Sequence, residues 1–304
     1  MPLKRIVQGS LMRKLFLWIA LSLLGIGLAI GAAIVLRVYE APLDLSSVSP
    51  PALTRPTSTA AAPQDELPVA FSPDISAKAR TLDVPIIMYH DVRAVKDVDW
   101  DITPDRLAEH FKTIQTKGLT PITLDQLVEH LHTGAPLPPK PILLTFDDNY
   151  IGQYQYAFPL LKQYQYPAVW SIHTRYVGSQ AGKPKATWEQ IKEIYQSGLI
   201  TVASHTVNHL NLAKLSPEKI DFELKESKRV LEQQLGIPIQ YFTYPEGDYI
   251  GSVKQNVTDA GYKAALTMSL DPEIERVANK SEDLLSIMRF GQSRFEEIIG
   301  TPAA

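Results

Sequence analysis

The stretch Pro141–Tyr150, PILLTFDDNY, decides how the rest of the sequence is interpreted. Its first half is a short apolar run, which is typical of a buried strand in an α/β sheet. Its second half places the carboxylates of Asp147 and Asp148 where that strand should end. Parallel α/β folds carry catalytic groups at this position. The pair fits either a metal ligand beside a general base or a solvated turn that opens a helix.

A second stretch, residues 201–209 (TVASHTVNH), also runs from a strand-like segment into polar residues. His205 and His209 are four residues apart, so a single helix-like turn places both imidazoles on one side. Two histidines and one carboxylate form an open site for a divalent metal, with positions left for water and substrate. The two stretches together therefore predict a metal site at the strand ends.

These two stretches resemble the first two motifs of the polysaccharide deacetylases, the NodB-homology carbohydrate esterases. The resemblance runs from about Val84 to about Phe290 and includes PIIMYHDV at 85–92, TWEQ at 187–190 and FTYPEG at 242–247. It implies a distorted (β/α) barrel that hydrolyses the N-acetyl group of a sugar polymer to an amine and acetate. The alternation of strand-like and helix-like segments that begins at Leu82 separately predicts an α/β domain with a parallel sheet.

The resemblance also implies roles for the residues of the first two motifs. Asp148, His205 and His209 match the family's metal ligands, and Asp147 matches its general base. Zinc is the expected ion, and the same donor set also accepts cobalt, nickel or iron. The alternative for the two histidines is a structural role in hydrogen bonding.

The third motif of the family corresponds to residues 244–247, YPEG. The resemblance implies that the backbone N–H of Glu246 donates to the oxyanion and that Tyr244 lies against the substrate. Thr243 stands where many members of the family have an arginine that tethers the base. Arg289, in a late strand-like segment, is a candidate for that task, and its alternative is a surface salt bridge.

The proton donor for the leaving amine is not supplied by the usual family residue. Many members use a histidine near the C-terminus, and this chain has no histidine after Asp271. His90 ends the first apolar strand, so in a barrel it should lie on the same face as Asp147. We therefore expect His90 to be the general acid, with Asp91 orienting it. The alternatives are a His90 bonded to backbone and an Asp91 that caps the following loop.

The other aromatic and histidine side chains carry weaker signals. Trp188 matches an aromatic residue common in the family, and it either lines the substrate groove or packs in the core. His173 has no motif around it. Three further histidines fall in predicted helices, where we expect them to be solvated: His110, His130 and His132.

The N-terminal part of the chain predicts a membrane anchor. A basic segment (1–14) precedes an uncharged apolar run (15–36), which is about long enough to cross a bilayer. A cleaved signal peptide is the alternative. Residues 37–82 are rich in Pro, Ser, Thr and Ala, which is typical of a disordered linker. The catalytic domain is then expected over 83–304, outside the cytoplasm in the periplasm or cell envelope.

Composition limits the class of function further. The formal net charge of −3 gives no reason to expect a nucleic-acid partner, and the absence of cysteine excludes disulfides and thiolate chemistry. We expect a monomeric, metal-dependent deacetylase of an N-acetylhexosamine polysaccharide. Its motif variants resemble the poly-N-acetylglucosamine branch, while peptidoglycan and chitin-type polymers stay open. The rival classes are a glycosidase with paired carboxylates and a non-catalytic carbohydrate-binding protein on the same fold.

Overall fold

The computed structural model describes residues 72–248, 251–268 and 277–300. Seven parallel strands close into a barrel in the order β1-β8-β7-β6-β5-β4-β3, with β3 pairing back to β1, and a two-residue strand β2 lies outside this ring against β3. This confirms the predicted (β/α) barrel. The strands are β1 (Ile86–Tyr89), β2 (Thr120–Pro121), β3 (Pro141–Asp147), β4 (Ala168–Ile172), β5 (Ile200–Ser204), β6 (Tyr241–Thr243), β7 (Ala264–Met268) and β8 (Ile287–Gly291).

Helices connect most of the strands, and their ends follow the signals in the sequence. The described helices are α1 (Pro104–Thr116), α2 (Leu124–Thr133), α3 (Phe158–Tyr164), α4 (Trp188–Gln196), α5 (Pro217–Leu235), α6 (Gly251–Asp259) and α7 (Phe295–Gly300). The spacing of Thr187 and Gln190 predicts a capping box at the start of α4, and the structure contains it, with hydrogen bonds of 2.9 and 3.3 Å between the two residues. Gly236 ends α5 in the left-handed conformation at φ 68°.

The segment before α3 differs from its prediction. The sequence predicts one helix from Tyr150 to Gln165, kinked at Pro159. The structure is helical over residues 151–164, as predicted, but a π-helical turn over Gln153–Ala157 takes the place of the kink, and α3 begins at Phe158. Proline has no N–H to donate and its ring crowds the carbonyl four residues earlier, so a wider turn at this point relieves the conflict.

The strands are buried along almost their whole length, and their carboxyl ends meet at one rim. Every residue of β1 and of β3 is buried. The register places Asp147 beside Ser171 of β4, and Ser204 beside Phe242 of β6. The polar residues that follow β1, β3, β5 and β6 are therefore delivered to the same end of the barrel.

The packed domain begins earlier than the sequence predicts. Ile75 and Ala79 are 7% and 0% exposed and belong to the same apolar cluster as Val84. The backbone N–H of Ser76 donates to the carbonyl of Leu131 at 2.8 Å. The linker predicted for 37–82 is therefore wrong for residues 75–82, because their apolar side chains pack on the barrel.

The predicted anchor at 15–36 and the linker up to residue 71 lie outside the described residues. Within the ranges that the structure describes, no helix is both long and apolar enough to span a bilayer. The anchor therefore stays a prediction.

Two histidines that we expected to be solvated are buried. His110 stacks on Phe295 with ring centroids 3.8 Å apart, and burial lowers its pKa to about 4. His130 donates from Nδ1 to the carbonyl of Ala135 at 2.6 Å. The prediction is wrong for both because each lies on the inward face of its helix, whereas His132 is exposed as expected.

We expect Gly152→Ala to lower the free energy of unfolding by about 3 kcal/mol or more. The backbone of Gly152 is right-handed, at φ −62°, so the cost is steric. An added Cβ would overlap the carbonyl oxygen of Val92 and come 2.7 Å from Oδ1 of Asp91. Gly251→Ala is the control, since nothing lies within 4 Å of its added Cβ. Thermal melting of both variants measures the difference, and equal melting temperatures would contradict this packing.

Candidate metal and catalytic site

Three predicted ligands meet at the rim of the barrel. Asp148 directly follows β3, and His205 directly follows β5. Oδ1 of Asp148 lies 3.5 Å from Nε2 of His205 and 3.3 Å from Nε2 of His209. All three potential ligand atoms fall within 4.8 Å of one another. The spacing of four residues between the histidines is spanned by a loop rather than a helix, yet it brings both rings to one carboxylate.

These residues fit a divalent ion. Ligand bonds of about 2.0–2.1 Å at tetrahedral angles place the ligand atoms about 3.3–3.4 Å apart. The distances from Oδ1 of Asp148 to the two imidazole nitrogens, 3.5 and 3.3 Å, are close to this value. Oδ1 of Asp148 is buried and receives no hydrogen bond from any described residue. Nδ1 of His205 donates to the carbonyl of Thr243 at 2.7 Å. This bond leaves the lone pair of Nε2 facing Asp148, as second-shell bonds do in metal sites.

Asp147 is held by the arginine that the sequence analysis proposed for it. Arg289 in β8 donates from Nη1 and Nη2 to the two carboxylate oxygens at 2.9 and 2.8 Å. Arg289 is only 1% exposed, so the alternative of a surface salt bridge is wrong. Nη1 also donates to Thr145 at 3.1 Å. The carboxylate plane of Asp147 is therefore fixed by a strand that is separated from β3 only by β1.

Electrostatics keep both carboxylates ionised. Burial alone would raise the pKa of Asp147, but the Arg289 guanidinium and the His205 imidazole outweigh it and lower the pKa to about 2. The same balance holds the pKa of Asp148 well below its usual range, with His205 and His209 as its main partners. A carboxylate held this low accepts a proton readily only from a water whose own pKa is lowered.

Thr243 has a different task from the arginine that it replaces. Its hydroxyl bonds to that of Ser171 at 2.8 Å, and its carbonyl receives Nδ1–H of His205. Thr243 therefore supports His205, a candidate metal ligand. The tether of Asp147 comes instead from Arg289 in β8.

Backbone strain is concentrated in the segments that carry these residues. Seven non-glycine residues of the described chain have positive φ. Five of the seven belong to these segments, with φ between 43° and 75°: Asp148, Asn149, Thr206, His209 and Glu246. Such conformations cost about 1–3 kcal/mol each and persist where surrounding contacts impose them, commonly at functional sites.

His90 faces the same group of charges. It follows β1, and Nδ1 is buried without a hydrogen-bond partner among the described residues. Burial lowers its pKa, and Asp147 and Asp148 oppose that shift. Its ring lies 5.3 Å from the half-exposed ring of Trp100. The alternative for His90 was a hydrogen bond to the backbone. Within the described chain, Nδ1 of His90 makes no such bond.

The remaining predicted residues have distinct positions. Glu246 sits in a one-turn 3₁₀ helix, Pro245–Gly247, at φ 59°, and its exposed carboxylate accepts from Asn211 at 2.8 Å. Tyr244 is buried and packs against Phe242. Trp188 packs on the apolar cluster that includes Ile191 and Val202. Its position thus supports core packing, the alternative to a place in the substrate groove.

Several residues at the site were not identified from the sequence. Gln153 donates from Nε2 to the carbonyls of Asp147 at 2.5 Å and His90 at 3.1 Å, which ties the ends of β3 and β1 together. Lys185 donates to the carbonyl of Asp148 at 3.0 Å, and its ammonium lies 3.3 Å from the ring centroid of Tyr150. Neither contact has a signal in the local sequence.

His173 was also missed, although a signal existed. Its ring lies 5.9 Å from that of His209, and burial lowers its pKa to about 3. It directly follows β4, so it has the strand-end position that identified Asp148 and His205. Applying the same rule to every predicted strand would have found it.

Comparisons with known proteins agree with this geometry. Residues 134–265 match the sequence model of the family described as Polysaccharide deacetylase. The chain is 34% identical over 136 residues to the poly-beta-1,6-N-acetyl-D-glucosamine N-deacetylase of Escherichia coli strain K12, covering 40% of this chain and 20% of that protein. The chain is also 29% identical over 184 residues to a Bacillus subtilis relative, YxkH. That match covers 60% of this chain and 64% of YxkH.

Solved structures share the fold. The Streptococcus pyogenes deacetylase PplD, in complex with acetate, superposes with a TM-score of 0.65 at 26% identity, over 73% of this chain and 99% of that chain. The deacetylase domain of BpsB from Bordetella bronchiseptica gives a TM-score of 0.55 at 27% identity, over 69% of this chain and 96% of that domain. The chain therefore covers nearly all of the compared domains but less than two thirds of the first curated relatives.

Proposed function

The chain belongs to the polysaccharide deacetylase family, and from this premise we propose that it is a metal-dependent N-deacetylase of an N-acetylhexosamine polymer. The observation that carries the proposal is the grouping of Asp148, His205 and His209 beside an Asp147 that Arg289 holds ionised. A glycosidase needs two carboxylates about 5–9 Å apart across the bond. Adjacent residues suit that geometry poorly, and such a reaction has no use for the two histidines.

The reaction requires a nucleophilic water, a polarised carbonyl and a protonated leaving amine. Asp148, His205 and His209 would hold the ion, which when bound supplies a more acidic water and a Lewis acid for the acetyl oxygen. Asp147 accepts the proton of the water, and Arg289 keeps its carboxylate oriented. The N–H of Glu246 donates to the oxyanion. His90 donates a proton to the nitrogen as the C–N bond breaks, yielding the free amine and acetate.

The polymer and the location are part of the proposal. The name of the Escherichia coli relative supports poly-β-1,6-N-acetylglucosamine as the first substrate to test, with peptidoglycan as the alternative. The apolar run at 15–36 supports a single-pass anchor that leaves the barrel outside the cytoplasm, in the periplasm or cell envelope. Zinc is the proposed ion, and we expect a monomer.

Release of amine from acetylated oligomers, with and without a chelator, tests this function. The panel consists of poly-N-acetylglucosamine, chitin-type and peptidoglycan oligomers. We expect chelator-sensitive amine and acetate in equal amounts, with chain length unchanged. Shortened chains would indicate a glycosidase, and binding without any product would indicate a non-catalytic carbohydrate-binding protein.

We expect His90→Gln to reduce the deacetylation rate by roughly 10²–10⁴-fold while metal content is retained, because a general acid contributes about that factor. His132→Gln is the control, since that imidazole is exposed. Turnover and elemental analysis are measured on both variants. A loss of metal would place His90 among the ligands, and an unchanged rate would exclude it as the acid.

A further inference from the structure

The loop 205–211 carries the second candidate histidine ligand beyond the end of β5. His205 is buried directly after β5, and its ring is fixed by the carbonyl of Thr243. The side chain of His209 is 33% exposed. The chain reaches His209 through Thr206 at φ 70°, and His209 itself has φ 56°. The place of the second imidazole is therefore set by the backbone of this loop.

That backbone is held in an unfavourable conformation. Positive φ is a clear outlier for a β-branched residue such as Thr206, and each such residue costs about 1–3 kcal/mol. Part of the constraint is internal, because the hydroxyl of Thr206 accepts from N–H of His209 at 2.9 Å. The N–H groups of Val207 and Asn208 converge on one external acceptor.

This acceptor is the carboxylate of Glu223, in the second turn of α5. Its Oε2 accepts from the backbone N–H of Val207 and of Asn208, both at 2.8 Å. Its Oε1 accepts from Nδ2 of Asn208 at 2.5 Å. Three donors from two consecutive residues thus bind both oxygens of one side chain.

A carboxylate at this place is costly for the fold. Glu223 is 2% exposed, and its buried neighbours on α5 include Ile220 and Leu224. Burial of an ionised group is unfavourable unless hydrogen bonds compensate it. One turn later, Ser227 bonds to Ser204 at 2.7 Å and so fixes α5 to the end of β5. The helix therefore holds the Glu223 carboxylate in a fixed position relative to the loop 205–211.

We propose that Glu223 is a positioning residue that preorganises the second histidine ligand. By fixing the N–H groups at 207 and 208 it sets the turn that aims Nε2 of His209 at Oδ1 of Asp148, 3.3 Å away. The inference rests on the proposed function, because it requires that the site bind a metal. Residues that orient metal ligands typically contribute about 10–100-fold to metal affinity.

The test is the variant Glu223→Gln. Its amide replaces one acceptor oxygen by an N–H₂ group, so at least one of the three donors faces another donor and loses its hydrogen bond. We expect its zinc Kd, from competition with a chromophoric chelator, to rise by about 10–100-fold. The kcat at saturating zinc should stay near the wild-type value, because every chemical group remains. Glu226→Gln, on the same helix and paired with Arg229 at 2.7 Å, is the control and should leave the Kd unchanged.

A second variant keeps the test decisive if Glu223→Gln folds poorly. Asn208→Ala removes the side-chain donor at a partly exposed position, and we expect a rise in zinc Kd of about three- to tenfold, the value of one hydrogen bond. Thermal melting of the metal-free proteins measures stability separately. Zinc Kd values unchanged in both variants, with or without lower melting temperatures, would overturn the role of Glu223. A wild-type protein that binds no zinc would instead overturn the proposed function.

Discussion

Asp148→Ala is expected to raise the zinc Kd by at least about 100-fold and to abolish deacetylation, since a lost ligand costs more than a lost second-shell bond. Asp148 is the residue that both imidazoles face, at 3.5 and 3.3 Å. Without its carboxylate the candidate site loses its anionic ligand, and an ion bound by the two histidines alone is weakly held. His205→Ala should have the same effect, because it removes a ligand whose orientation the Thr243 carbonyl fixes.

The control for these variants is a buried histidine outside the site. His110→Ala removes an imidazole that is 1% exposed and stacked on Phe295. It should lower the melting temperature but leave the zinc Kd and the turnover of the folded protein unchanged. Elemental analysis and chelator competition on the three variants give the comparison. Wild-type metal content in Asp148→Ala would show that the ion, if any, binds elsewhere.

Asp147→Asn is expected to lower kcat by roughly 10²–10⁴-fold while zinc affinity stays close to the wild-type value, since it removes a base rather than a ligand. The substitution also leaves the Arg289 guanidinium buried without its anion. Breaking a buried pair in this way costs about 3–5 kcal/mol, so a lower melting temperature should accompany the lower rate.

Asp101→Asn separates these two effects. Asp101 is 1% exposed and pairs with Lys183, as Asp147 does with Arg289. Its replacement should lower stability without lowering kcat. Assays well below the melting temperature of each variant then compare turnover alone. Near wild-type kcat in folded Asp147→Asn would exclude Asp147 as the base.

Much of the barrel could be predicted from the sequence because its signals are local. Apolar runs ending in polar residues located β1, β3 and β5, and a capping box located the start of α4. The rule that functional side chains follow parallel strands also brought together Asp148 and His209, which are sixty-one positions apart in the sequence. Repeated βα units predicted a parallel sheet, and its closure into a barrel was implied only by the family resemblance, since the same units also form open sheets.

Most of the support of the site could not be predicted, because it depends on contacts between distant segments. Arg289 could be named only as a candidate tether, because its sequence neighbourhood also allowed a surface salt bridge and its contact with Asp147 joins strands far apart in the sequence. Glu223 lies in a helix whose pattern of charges looks like a solvated face, yet it is buried against the loop 205–211. The boundary of the domain was missed for a similar reason, since residues 75 and 79 find apolar partners only in the folded barrel.

The central claim is that Asp148, His205 and His209 hold one ion on which hydrolysis depends. Zinc titration of chelator-stripped protein, with bound metal and acetate release measured at each step, tests it most directly. The account predicts that both rise together and reach a plateau at about one ion per chain, and that Asp148→Ala shows neither. Full acetate release from stripped protein carrying far less than one ion per chain would contradict it.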